Sequence, residues 1–214
     1  MTTPHSPLEI RAFIFDLFGV VLSFDENSVY TRLAAQCHEP ATALQALQGL
    51  VSTPALITGK LSLQQLHQQL VAKHGFSLGF AQFEVLWLTP YTAAMPGIAG
   101  ILRALSSRYR LVLLSNVDCY YLEVVRRQHP ELSYFADQLV SCELGYAKPD
   151  DAAFFAALRA AEFPPEACYF VDDKVENIEA AARLGIRGHA FSSAASLSAA
   201  LLLEGIAVGE SDRH

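Results

Sequence analysis

The chain has 214 residues, enough for one full-sized globular unit with a modest insert and too few for several independent domains. Hydrophobic residues make up 52% and charged residues 17%, which argues against a disordered chain or a coiled coil and supplies a large core. Lys and Arg number 15 against 22 Asp and Glu, a net charge of −7 with no basic cluster, so nucleic acid and anionic membranes are excluded as expected partners.

The first apolar segment, Ala12 to Phe15, is short and aromatic and runs straight into Asp16. It reads as a buried strand. From Ser23 to Tyr91 strand-like runs are missing, Gln and Ala are abundant, and helical spacing recurs over Val29 to Cys37, Ala41 to Leu50 and Leu61 to His74, with Ser62 as an N-cap. This predicts an all-helical insert over 23–91 that covers the site as a cap, on a core made of 1–22 and 92–214.

From about residue 96 helix and strand alternate. Helices are predicted over Ile98 to Ser106, Tyr120 to Gln128, Asp151 to Ala161 and Asn177 to Leu184, the last closed by Gly185. Strands are predicted at Leu111 to Leu114, ending in Ser115-Asn116, at Gln138 to Cys142, at Cys168 to Val171, ending in Asp172-Asp173, and at Arg187 to Phe191. A terminal helix is expected over Leu197 to Leu203 and a frayed tail from Gly209 to His214. The fold class is therefore α/β, a Rossmann-like parallel sheet with helices on both faces and an inserted helical cap.

No apolar run approaches the roughly 18 residues that cross a bilayer, and the N-terminus lacks a basic segment followed by an apolar one, so a cytoplasmic location is expected. Cys37, Cys119, Cys142 and Cys168 show no close metal-type pairing. Reduced, packed thiols are the expectation. An apolar cap can bury its surface on the core or on a second copy, which leaves monomer and homodimer both open.

In open parallel sheets ligands bind beyond the carboxyl ends of the strands, which is where Asp16, Ser115-Asn116 and Asp172-Asp173 fall. Each has an ordinary structural explanation, as an Asx turn or a helix N-cap. Together they fit a hard cation, since Mg²⁺ binds through one or two carboxylates plus water and phosphate. Ser115 and Asn116 suit phosphate oxygens. Lys148, biased toward extended backbone by Pro149, can act as a point charge. Thr58-Gly59-Lys60 is not a phosphate-binding loop, because Pro54 occupies the place of the upstream glycine. His67 and His74 lack a third ligand, and Ser115 lacks a histidine partner for serine hydrolysis.

Phe15-Asp16-Leu17-Phe18-Gly19-Val20, Leu114-Ser115-Asn116, Ala147-Lys148-Pro149 and Val171-Asp172-Asp173-Lys174-Val175-Glu176-Asn177-Ile178 resemble, in order and spacing, the four motifs of the haloacid dehalogenase (HAD) superfamily. The insert resembles the small helical cap of its first subfamily, and the pattern is similar to bacterial α-D-glucose-1-phosphate phosphatases. The resemblance implies that Asp16 is a nucleophile forming an aspartyl-phosphate, that Ser115 and Asn116 hold the phosphoryl group, and that Lys148 stabilises charge. It implies that Asp16, the Phe18 backbone carbonyl and Asp173 bind Mg²⁺, with Asp172 and Asn177 as ligand or support. The implied partner is a small phosphorylated metabolite, a sugar phosphate above all.

One position departs from the pattern. Most phosphatases of the superfamily carry a second Asp two residues after the nucleophile as general acid and base, and here that residue is Phe18. Acid–base catalysis contributes roughly 10²–10⁴-fold, so the enzyme is expected to be slow or to favour good leaving groups, an anomeric sugar phosphate better than an alkyl one. Asp25 and His38 are candidate substitutes. Haloacid dehalogenases also lack the second Asp, which makes dehalogenation an alternative, but they lack the Asp172-Asp173 pair as well. Two such carboxylates beside Asp16 repel one another without a cation. A non-catalytic protein that binds a phosphorylated ligand is the remaining alternative.

Overall fold

A computed structural model of the chain describes residues 9–51, 54–88 and 93–208. The tail expected from Gly209 and the junction expected at 91/92 lie outside them. Five parallel strands, β1 (Ala12–Phe15), β2 (Arg110–Ser115), β3 (Asp137–Val140), β4 (Cys168–Asp172) and β5 (Arg187–Ala190), form one sheet in the order β3-β2-β1-β4-β5. The chain builds outward from β1 in one direction through β2 and β3, and in the other through β4 and β5. β1 therefore sits where the winding reverses, the place at which such sheets open a ligand crevice. Phe15 pairs with Leu113 on one side and Val171 on the other, so these strands end at nearly one level.

Between β1 and β2 come α1 (Glu26–Ala34), α2 (Pro40–Val51), α3 (Pro54–Ile57), α4 (Leu63–His74) and α5 (Phe80–Trp87). Their apolar faces share a cluster of their own, in which Leu33, Leu47, Leu66, Leu70 and Phe83 are fully buried. Leu88 packs against this cluster and against the sheet's cluster as well. Ser62 caps α4 as expected, and the Gln65 side chain returns the bond to the Ser62 N–H. α1 begins at Glu26, three residues before the expected Val29, because Asp25 accepts the Ser28 N–H and starts the helix there.

The remaining helices are α6 (Ile98–Ser106), α7 (Cys119–Gln128), α8 (Ser141–Leu144), α9 (Asp151–Ala161), α10 (Val175–Arg183) and α11 (Ala194–Leu203). β1 shows how they divide. Phe13 and Phe15 face a cluster that includes Ile101 of α6, Leu122 of α7 and Leu197 of α11, whereas Ala12 and Ile14 face Phe154 of α9 and Ala181 of α10. All four side chains of β1 are fully buried, which explains why the strand carries no polar alternation.

Two expectations are corrected. The strand expected over Gln138 to Cys142 ends at Val140, because Ser141 and Cys142 open α8, where the Ser141 hydroxyl accepts the Val117 N–H at 3.0 Å. The cysteines are not all reduced: Cys119 and Cys142 form a disulfide, while Cys37 and Cys168 are free and buried. The physical reason is the parallel pairing of β2 with β3, which brings the segments after the two strands together although the cysteines lie 23 positions apart.

Candidate active site

Asp16 follows the last residue of β1 and is almost wholly buried. Its Oδ1 accepts the Leu17 N–H at 2.7 Å and lies 2.9 Å from Lys148 Nζ. Burial raises its pKa to about 6, against the opposing pull of Lys148. Lys148 Nζ also lies 2.6 Å from Asp172 Oδ2. Burial disfavours the ammonium, but Asp16 and Asp172 outweigh that and hold its pKa above the ordinary lysine value.

Asp172 and Asp173, adjacent in sequence, differ in their surroundings. Asp172 is fully buried, and besides Lys148 it accepts the Lys174 N–H at 2.8 Å and the Asn177 amide at 3.0 Å on each oxygen. Its oxygens are thus already engaged by protein donors. Asp173 is exposed, and burial of part of its surroundings together with Asp172 raises its pKa. Asp16, Asp172 and Asp173 each offer an oxygen within 4.8 Å of the others, a donor set that suits a hard cation. Gly19 shapes this corner: its φ is +83°, and a Cβ there would lie 2.5 Å from Asp173 Oδ2.

Ser115 ends β2 with its Oγ buried and without a hydrogen-bond partner among the described residues. A buried hydroxyl of that kind costs stability unless a ligand satisfies it. Ser115 lines a small pocket together with Asp16, Lys148, Asp173 and Asn177. The Asn116 side chain is committed elsewhere. Its amide donates to the Lys148 carbonyl at 2.8 Å and accepts the Lys148 N–H at 2.9 Å, which clamps the backbone that presents the lysine.

A second cavity of about 450 Å³ adjoins the first, and Phe18, Phe24, Glu26, Asn116, Lys148 and Lys174 line both. Its further walls include Tyr30 and Trp87 from the helical segment and Asp118 and Tyr121 from the start of α7. Asp118 caps α7 through the Tyr121 N–H at 2.9 Å and accepts Trp87 Nε1 at 3.3 Å; burial raises its pKa. Glu26, Phe24, Trp87 and Asp118 carry no motif, and only the helical insert's position before β2 hints that its side chains reach the strand ends. Asp25 and His38, the candidate proton donors, line neither cavity: Asp25 caps α1, and the His38 N–H is bonded to His74 O at a helix junction. His67 packs among Phe76, Phe80 and Phe83.

Comparison with known proteins agrees with this architecture. The family model for haloacid dehalogenase-like hydrolases matches residues 10–185. A HAD-like family hydrolase from Porphyromonas gingivalis is 25% identical, with a TM-score of 0.76 over 92% of this chain and 98% of that one. A HAD family enzyme of Bacteroides thetaiotaomicron, solved with magnesium and inorganic phosphate, is 19% identical, with a TM-score of 0.72 over 86% and 95%. L-2-haloacid dehalogenase from Xanthobacter autotrophicus, with chloropropionic acid covalently bound, is 18% identical, with a TM-score of 0.59 over 92% and 84%. Among the described residues no helix is long and apolar enough to cross a membrane. The chain belongs to the haloacid dehalogenase-like hydrolases and is an enzyme of that family.

Proposed function

We propose that the protein is a Mg²⁺-dependent phosphatase that hydrolyses a small phosphorylated metabolite through an aspartyl-phosphate on Asp16. In this reading residues 1–22 and 92–214 are the catalytic core and 23–91 the cap. The observation that carries it is the meeting in one pocket of the buried Ser115 Oγ, which has no hydrogen-bond partner among the described residues, with Lys148, Asp16 and Asp173, while Asp172 offers an oxygen within 4.8 Å of both carboxylates. The Bacteroides relative solved with magnesium and phosphate supports it.

The residues divide the work as follows. Asp16 attacks phosphorus through Oδ2, since Oδ1 accepts the Leu17 N–H and lies 2.9 Å from Lys148 Nζ. Ser115 Oγ donates to a phosphoryl oxygen. Lys148 neutralises charge on the transferring group, anchored by Asp172 and by the Asn116 clamp on its backbone. Asp16, Asp173 and the Phe18 carbonyl would hold Mg²⁺, which would supply charge neutralisation for phosphate oxygens. Asp172 and Asn177 support the site from behind. Phe18 brings no proton, so the favoured substrate carries an acidic leaving group, and a sugar 1-phosphate is the class that the motif resemblance favours. Dehalogenation is the second reading, because Phe18 is also compatible with a halide, which leaves unprotonated.

The test is phosphate release from a panel of phosphorylated sugars, nucleotides and acetyl phosphate, by the parent and by Asp16→Asn, with Mg²⁺ and with chelator. Metal-dependent release that Asp16→Asn abolishes supports the reading. Release of halide from 2-chloropropionate in chelator, with no phosphate release, replaces it by the second. Neither activity leaves the binding protein.

A further inference from the structure

The larger cavity is walled by rings, and the rings are held in place. Phe18, Phe24 and Tyr121 form one group, with centroids 4.8, 5.4 and 5.5 Å apart. Tyr30 and Trp87 form another, 6.4 Å apart and 35° from parallel. Trp87 is fixed through its Nε1 by Asp118, and the Tyr30 hydroxyl donates to Glu26 at 3.4 Å. A cavity of about 450 Å³ is far larger than a phosphate needs, and falls in the range that buries most of a ring-bearing ligand.

Resting on the phosphatase reading, we propose that the substrates are aryl or heteroaryl phosphates, monoesters of a phenol-like hydroxyl whose flat ring stacks in this aromatic cavity while the phosphate sits over Asp16. The proposal changes only the choice of leaving group. Preformed aromatic walls favour a planar ring through offset or edge contacts. The same wall includes Phe18, so the side chain that withholds a proton also contacts the leaving group. A phenolic hydroxyl has a pKa of about 10, against about 15.7 for water and near that for alkyl hydroxyls. It departs as the anion without an acid. Asp16 forms the new bond to phosphorus as the P–O(aryl) bond breaks and its electron pair leaves on the aryl oxygen, which then takes a proton from water. Water next attacks phosphorus, the bond to Asp16 breaks, and phosphate and a proton are released.

The experiment compares kcat/KM for phenyl phosphate, pyridoxal 5′-phosphate as a ring joined through an alkyl ester, glycerol 3-phosphate and acetyl phosphate, for the parent, Phe24→Leu and Glu26→Gln. Phe24→Leu keeps apolar bulk and loses the ring. Expected is a phenyl over glycerol preference of at least about 10²-fold, and a phenyl to acetyl ratio that drops about tenfold in Phe24→Leu. Turnover of acetyl phosphate with phenyl no better than glycerol overturns the proposal and leaves the phosphatase standing. So does a phenyl preference that Phe24→Leu leaves untouched, since acidity alone would then explain it. Efficient turnover of the alkyl esters that Glu26→Gln removes overturns it too, because Glu26 would be the missing acid. No release even from acetyl phosphate means that the phosphatase reading fails, and the proposal with it.

Discussion

Lys148 Nζ lies 2.9 Å from Asp16 Oδ1, and the two side chains are nearly sealed from solvent. With Asp172 on its other side, the ammonium bridges both carboxylates. Removing one partner of a buried ionic group typically costs about 3–5 kcal/mol. Lys148→Met is expected to lose that much stability in denaturant unfolding and to release no phosphate. A variant as stable as the parent would mean that Asp16 and Asp172 do not need the lysine.

The carboxylate corner predicts a binding response that needs no substrate. A ligand that binds only the folded state stabilises it, by about 2.7 kcal/mol at a hundred times its Kd, so Mg²⁺ is expected to raise the melting temperature and chelator to reverse the rise. Gly19→Ala is expected to weaken this shift, because a Cβ at φ +83° meets Asp173 Oδ2. An equal shift in the variant would place the ion away from Asp173.

Two thiols per chain are expected to react in denaturant without reductant, those of Cys37 and Cys168, and all four after reduction. The Cys119–Cys142 bridge closes a loop of 23 positions, a length whose closure stabilises by about 3 kcal/mol in the chain-entropy account. Reductant is therefore expected to lower the melting temperature, and replacing both cysteines with serine to abolish that sensitivity. Four reactive thiols before reduction would contradict the bridge.

Asp118 gives a pH dependence with a definite sign. Burial raises its folded pKa above the ordinary 3.8, so between the two values the folded protein holds a proton that the unfolded chain has lost. Stability then falls as pH rises through that window and is level above it. Asp118→Asn keeps an N-cap and removes the titration. The parent's stability relative to this variant is expected to decline with rising pH across the mildly acidic range, read from urea midpoints; a rising difference would contradict the buried carboxylate.

The sheet and the residues at its strand ends were legible because β1, β2 and β4 are continuous apolar runs that stop at polar residues, a pattern that needs no partner to be recognised. Asp16, Ser115 and the Asp172-Asp173 pair meet because parallel pairing brings those ends level, and Lys148, in the loop between α8 and α9, is held beside them by the Asn116 side chain. The disulfide was not legible, since cysteines 23 apart meet only through the β2–β3 pairing. The split between Asp172 and Asp173 came from the motif resemblance alone, because what engages Asp172 depends on where Lys148 and Asn177 reach. α3 and α5 in the insert escaped because α3 is one turn and α5 is apolar on most sides, leaving little periodicity to read.

A phosphoryl group carried covalently by Asp16 is detected by peptide mass analysis after rapid acid quench of the protein turning over acetyl phosphate with Mg²⁺. An added phosphoryl mass is expected on the peptide that contains Asp16, absent in chelator and in Asp16→Asn. Phosphate release undiminished in Asp16→Asn, or an adduct on a different peptide, would contradict it.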